Sequence, residues 1–511
     1  MDRLVDDGKV RAGDPGASPL YKLVDADLMP KGGPPLTKSE KATIHAWISL
    51  CTGQDAHEPL GPPQCTSNLM VPAEEMVAAM AENVSVAGAN SSFLRFATLT
   101  HLHNAGYCSD QLDAYRHALT KVLNSLSSSN RIVRPTPIDP ARTIYRIDLR
   151  DYGWDADLWE HLVLSNPFAV EYLFSAAEPL KDATGSRVPS QMADWLVVDA
   201  ATAPLYDRIL YERVFNVIAD ISSPTDPLTR FDLEEFLGIN LEDRIAQEIA
   251  QNTERVMRAG FQDSGVSSQN RVIERHELAG SVLPEAPYWI SYDFLDDTEI
   301  GDIFAHPLDF VADGGEVIWT LPNGLQAYLL VDGEGVRVDK ADVEIVSNKE
   351  QAGEPIVNGI SCMGCHSEGM RMAVDEVGPY VIESIGSFDD VEKEEVSRLY
   401  TLPDLLTAAL ERDRGRFVSQ MGETGGPLQI AGEEAVSAAF TGFEEQRIDL
   451  RRMAAELGVT ADALAPNVGL LPEGLKKVDG GTVTRSAMRA DFGEAVCRLK
   501  LGITAACKPT G

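Results

Sequence analysis

Positive charge is scarce in this chain. Of its 511 residues, 44 are Lys or Arg and 79 are Asp or Glu, for a formal net charge of −35. So acidic a surface does not neutralise a phosphate backbone, and no nucleic-acid partner is expected. Long apolar stretches are also missing. No run reaches the roughly 18 residues that would cross a bilayer, so no membrane span is expected. Residues 1–20 hold Asp2, Asp6 and Asp7 where a signal peptide would hold an apolar core, so no signal peptide is expected in this chain. Gly-x-Ser-x-Gly, the P-loop pattern and His-Glu-x-x-His are all missing, which removes the best-marked hydrolase, nucleotide and zinc-protease signatures.

Cysteine is sparse, with 7 in the chain, yet two of them fall in one short stretch, Ser361-Cys362-Met363-Gly364-Cys365-His366. It reads C-x-x-C-H, the attachment signature of a c-type haem. Thiols one helical turn apart can each form a thioether to a haem vinyl group, and the adjacent imidazole then lies under the iron as an axial ligand. Cys362 and Cys365 are therefore the candidate covalent attachment points for haem c, and His366 the candidate proximal iron ligand. The competing readings are half a zinc site and a thioredoxin-like redox pair. The first needs a second Cys/His cluster at short spacing, and none follows. The second needs a βαβ context that the flanks do not suggest.

The sixth iron position has several candidates. Met370 and Met372 are too close to His366 in sequence to wrap comfortably around a porphyrin. His276, His306, Met421, Met453 and Met488 have enough chain to reach the far side. Of these, His306, in Phe304-Ala305-His306-Pro307, ranks first and Met421, before Gly422, second. Glu274 beside Arg275-His276 could act as an acid/base group, but such neighbours are more often structural. Asp293, Asp296, Asp297 and Glu299 lack the EF-hand spacing and read as a solvated acidic loop. His101, His103 and His117, on helical segments, read as structural.

The hydrophobic content of 44% is ample for a core, and the length suggests about three domains. The fold class expected is α+β and mostly α-helical, with helical segments flanking an antiparallel β-meander and the haem motif after its last strand. Four segments are drawn: 1–65; 66–185, helical with a short strand; 186–350, mixed and ending in the meander; and 351–511, the motif followed by helices. A capping box at Thr37 and Glu40 starts a helix carrying Ile44, Trp47, Ile48 and Cys51. Helices are expected at Pro72–Val84, Ser92–Ala105, from Ser109, from Pro403 and over Glu433–Leu457. A strand is expected over Ile144–Leu149. Residues 186–275 read as helical. Strands are expected at Tyr288–Phe294, Glu316–Leu321, Leu325–Val331 and Val336–Val346, with Asn323-Gly324 and Asp332-Gly333 as hairpin turns. Cys51 with Cys65, and Cys497 with Cys507, could form local disulfides, leaving Cys108 as a buried thiol.

Residues 12–48, with Gly13-Asp14-Pro15, Leu20-Tyr21, Met29-Pro30 and the Leu36–Ile48 helix, resemble the second half of a planctomycete-type bacterial c-type cytochrome domain. Residues 93–154 and 322–366, including Leu321-Pro322-Asn323-Gly324-Leu325-Gln326-Ala327-Tyr328, resemble segments of large bacterial proteins that carry that domain. The resemblance implies an extracytoplasmic, periplasmic home. It also implies that Met29 matches the distal ligand of a haem whose own C-x-x-C-H is missing upstream here, so the N-terminal cytochrome domain looks truncated and a longer protein could hold a second haem. The resulting expectation is a c-type cytochrome passing single electrons to a redox partner protein, basic if charge steers the encounter. The alternatives are a peroxidase-like or other haem oxidoreductase with an open iron position, and a scaffold protein with an accessory haem.

Overall fold

The computed structural model describes residues 68–507 apart from 218–220, 222, 224, 263–268, 279–285, 343–345, 347–354 and 431, together with Cys65 and part of 9–48. Contacts divide the chain into two compact units, 1–61 and 62–511. In the first, a helix over Pro19–Asp25 follows a 3-10 turn over Pro15–Ala17; Val24 and Ile48 are buried and Met29 is half-buried. Thr37, Glu40, Trp47 and Cys51 lie outside the described residues.

The second unit takes in residues on both sides of 185 and 350, because its elements pair across those points. Helix content is about 49% and strand content about 15%, a mixed α+β architecture. The first sheet has β1 (Leu94–Thr98), β2 (Thr136–Pro137), β3 (Ile144–Asp148) and β4 (Ser190–Met192) in the order β2-β3-β1-β4. The helix Ala73–Ala87 lays Met76, Val77, Met80 and Val84 against Leu94, Phe96 and Ile144. β1 corrects the expected helix over Ser92–Ala105. All five of its residues are buried, so it shows no period-2 alternation, and the helix proper is only Thr100–Ala105, ended by Gly106.

The second sheet is a five-stranded antiparallel meander of β5 (Val256–Phe261), β6 (Arg271–Leu278), β7 (Ala286–Asp293), β8 (Gly314–Thr320) and β9 (Gln326–Asp332). The Asn323-Gly324 turn joins the last two, with Gly324 at φ +85°. β5 and β6 correct the helical reading of 186–275. The charges of Arg271-Val-Ile-Glu274-Arg275-His276 suggest a solvated surface, yet most of them are buried and paired with opposite charges on other elements. Arg258 meets Glu274 at 2.6 Å and Arg275 meets Asp413 at 2.8 Å. The described residues of 336–346, expected as a strand, make only single bridges, such as Val331 with Arg337 and Lys340 with Val357. One face of the meander packs Val256, Val272 and Phe294 against Val377, Val396 and Leu399 from the helices Val377–Glu383 and Asp390–Leu399.

The helix expected from Pro403 is present and runs to Glu423. The expected helix over Glu433–Leu457 is broken. An α-helix over Ala435–Phe440 widens into a π-turn at Thr441–Glu445, and a new helix over Leu450–Glu456 starts where the Asp449 side chain caps Arg452 N–H. The apolar period survives the break, which is why pattern alone does not reveal it. Among the described residues, no helix is long and apolar enough to cross a membrane.

Among the described residues, two disulfides are present, Cys65–Cys108 and Cys497–Cys507. The second matches the expectation. The first replaces both the Cys51–Cys65 pairing and the buried Cys108 thiol, because the hydrogen bond from Cys65 N–H to the Gly106 carbonyl (2.8 Å) holds Cys65 beside Cys108. Cys65→Ser is expected to lower unfolding free energy by about 2–4 kcal/mol, measured by denaturant titration against the oxidised wild type.

A buried charge network ties the helices of this unit together. Asp194 meets His101 (2.9 Å) and Arg452 (3.0 Å), while Glu456 meets Arg452 (2.6 Å) and Arg485 (2.7 Å). Burial alone would raise the Glu456 carboxyl, but Arg485 and Arg452 outweigh it and bring it down from 4.5 to about 2. A folded value below the unfolded one means that this group's contribution is complete above pH 4.5 and is lost as pH falls towards 2. Glu456→Gln is therefore expected to be less stable at pH 7 and to show a shallower stability loss between about pH 5 and pH 2, followed by thermal melts across that range.

Candidate functional site

Strand register builds the floor of the site. Phe261 pairs with Arg271, Arg271 with Asp293, Asp293 with Gly314, and Gly314 with Asp332. These five residues form one rung across the meander, and paired residues point to the same face. The next rung on that face carries Ile273, Ser291, Glu316 and Leu330. An inward face bearing Arg271, Asp293 and Glu316 is polar where a packed core would be apolar. It floors a cavity of about 750 Å³, within the range of small-molecule and cofactor sites.

The C-x-x-C-H segment lines the same cavity through Cys362, Cys365 and His366. It is a one-and-a-half-turn helix, Ile360–Cys365, that starts at Gly359. Gly359 has φ +82°, and a Cβ there would stand 2.3 Å from the Ala201 carbonyl oxygen, so only glycine lets the chain pass that close. Asn358, just before it, donates to Asp207 (2.6 Å), and Asp207 accepts from Arg337 (2.8 Å). Asp207 is fully buried, and burial pushes its carboxyl up to about 7 despite Arg337. On its other side the motif helix meets the helix Ala435–Phe440, where Gly364 leaves room for the Ser437 side chain.

His366 is nearly buried. Its Nδ1 lies 3.2 Å from the Gly369 carbonyl oxygen. A proton on Nδ1 donates to that carbonyl, which fixes the ring and leaves Nε2 with the lone pair. Gly369, at φ +87°, makes the turn that brings its carbonyl back. Nε2 points towards Glu316, whose Oε2 is 3.7 Å away. Burial alone would raise the Glu316 carboxyl; the neighbouring His366 and Cys362 side chains and the charge of Arg271 hold it below its usual value. Burial, followed by the Glu316 charge, pushes the Cys362 thiol well above its usual value. Cys362 and Cys365 are outside the two disulfides.

The other candidates lie elsewhere. His306 is 38% exposed at its side chain and pairs with Asp309 (3.2 Å). Met421, Met453 and Met488 are buried in helical packing, and His276 is buried against Glu274 (2.7 Å). None of these five lines the cavity. Met29 belongs to the first unit. His101 is held by Asp194 and His103 by the Leu69 carbonyl. Asp293 is committed to Arg271 by two bonds, and Asp297 accepts Asn270 N–H. Among the described residues, no group of three or more His, Cys, Asp or Glu is placed to hold a metal ion. A haem iron needs only one or two protein ligands, so it is not a site of that kind.

Sequence reasoning missed Arg271, Glu316, Lys340 and Arg371. Lys340 and Arg371 are exposed where they line this cavity and a second one of about 740 Å³ on the far side of the motif. Met370 and Met372 also line both cavities. The period-2 placement of Arg271, Ile273 and Arg275 is the signal that could have found the floor, once 271–278 is read as a strand. No family model, curated protein or solved structure matches the chain.

Gly359→Ala should separate close approach from backbone strain alone. Gly88, at φ +56° with nothing within 4 Å of where a Cβ would stand, is the comparison. Gly88→Ala is expected to cost about 1 kcal/mol and Gly359→Ala at least about 3, by denaturant unfolding.

Proposed function

We propose that the chain is a c-type cytochrome in which Cys362 and Cys365 hold a haem covalently and His366 ligates its iron. The observation that carries this reading is the arrangement around one cavity. Both thiols and the imidazole of a C-x-x-C-H motif line a space of about 750 Å³, with Nδ1 of His366 engaged by a carbonyl and Nε2 directed inward. Bound there, a haem iron supplies reversible one-electron chemistry. The residues supply the rest: the motif helix aligns two sulfurs and a nitrogen, Ile273 and Leu330 contribute apolar floor, and Lys340 and Arg371 offer cationic partners for propionates at the rim.

We place the protein outside the cytoplasmic membrane, in the periplasm or beyond. The two disulfides support that placement, since such bonds persist in oxidising compartments. The charge of −35 favours a basic redox partner. A second reading, a haem enzyme with an open sixth position, draws on the placement of His306 and Met421 away from the cavity lining. Carbon monoxide added to the reduced protein separates the two: rapid binding supports the enzyme, and an unchanged low-spin spectrum supports the carrier.

The attachment itself is tested by expression in a host that performs c-type haem ligation. Pyridine haemochrome absorbance and intact mass are expected to give one covalent haem per chain. Cys362→Ala with Cys365→Ala should abolish it. A colourless wild type at bare polypeptide mass overturns the reading.

A further inference from the structure

We infer that a cavity at the first sheet is a phosphate site, in which Arg146 and Arg134 bind a phosphate group, free or carried by a small ester. No residue lining it lines either cavity beside the C-x-x-C-H motif, so the inference stands apart from the haem reading.

Strand register places charge where a core is expected. Leu94 pairs with Asp148 and Phe96 with Arg146. Paired residues share a face, and on this face Leu94, Phe96 and Ile144 pack against the helix Ala73–Ala87. Arg146 and Asp148 therefore continue an apolar face with charged groups. Val86 and Ala87, the last residues of that helix, line a cavity there of about 370 Å³, together with Arg134, Arg146, Arg150 and Asp148. That volume has room for a phosphate with a short organic tail.

The ion pairs around the cavity leave two guanidiniums over. Arg150 donates to both oxygens of Asp148, at 2.9 and 2.6 Å, and Arg131 donates to Asp151 at 2.7 Å. Arg146 lies in the field of Asp148, yet among the described residues its guanidinium makes no hydrogen bond or ion pair. Arg134 has no carboxylate partner among the described residues either. Its Nε donates to the Glu423 carbonyl at 2.8 Å, and Gly425, lacking a Cβ, leaves room for the guanidinium. That contact holds Arg134 in place before any ligand arrives. Arg146 is half-buried, and a guanidinium removed from water without an acceptor is destabilising. Two cations around one cavity also repel each other. An anion bound there relieves both penalties.

The donors select the anion. A guanidinium fork holds an oxyanion through two parallel N–H bonds. A carboxylate, with its single charge, is matched by one fork. A phosphate, with about two negative charges and several acceptor oxygens, is matched by two. The net charge of −35 repels a nucleic-acid polymer from the chain as a whole, so the ligand that reaches this local cationic site is small.

The test is isothermal titration calorimetry of the full chain with inorganic phosphate, at low salt and near-neutral pH. Wild type is expected to bind phosphate saturably at one site and to bind acetate at least about tenfold more weakly. Arg146→Gln and Arg134→Gln are each expected to weaken phosphate binding by about tenfold or more. The control is Arg187→Gln, at an exposed arginine outside the cavity, which should match wild type. Glycerol 3-phosphate separates the two sources, and both results support the site: tighter binding than phosphate identifies an ester, equal or weaker binding the free ion. A wild type that shows no saturable phosphate binding overturns the inference. So does acetate bound as tightly as phosphate, or either variant binding phosphate as Arg187→Gln does. Arg134 is exposed, so if Arg146→Gln fails to fold, Arg134→Gln decides by the same criterion.

Discussion

A helix of six residues cannot hold itself together. Ile360–Cys365 has room for only one or two intrahelical hydrogen bonds, and helix nucleation is unfavourable at that length. Everything the motif could do requires two sulfurs and an imidazole to face one way, so their orientation must come from outside the helix. Arg337, Asp207 and Asn358 anchor its start, Ala201 presses against Gly359, Ser437 fits beside Gly364, and the Gly369 carbonyl holds the ring that follows. These partners come from segments more than a hundred residues apart in sequence, so much of the second unit has to be folded before the motif has a shape.

The meander answers a second requirement. A cavity needs a floor that does not collapse, and a hydrogen-bonded sheet supplies one. The opposite face is sealed by helices around Val377, Val396 and Leu399, while the cavity face carries charged groups that would be costly in a dry core. Arg271 and Asp293 satisfy each other there. Glu316 lies within ion-pair reach of His366. The cavity face is therefore polar by construction and remains folded because nearly every charge on it has a partner.

The C-x-x-C-H motif was visible because it is local: five consecutive residues state it. The three strands at 286–332 were legible because the Asn323-Gly324 turn signal between them is local too. The helix from Pro403 and the Cys497–Cys507 pair belong to the same class. What could not be read depended on partners far along the chain. β6 looks like a polar helix until Arg275 is known to meet Asp413 and Glu274 to meet Arg258. β1 looks like part of a helix because both its faces are covered. Cys65 reaches Cys108 over a separation of 43, not its nearer neighbour in sequence, because a backbone bond to Gly106 fixes its place. Glu316 is one of 79 acids, and only the fold puts it beside His366.

The central claim is a covalent one, and peptide mass tests it most directly. Trypsin should release the segment between Lys349 and Arg371 from protein matured in a host with haem-ligating machinery. That peptide is expected to carry the full mass of one haem, bound so that it survives acid and denaturant, with neither Cys362 nor Cys365 open to alkylation. The same peptide at its bare mass, with both thiols alkylated or joined to each other, would contradict the account.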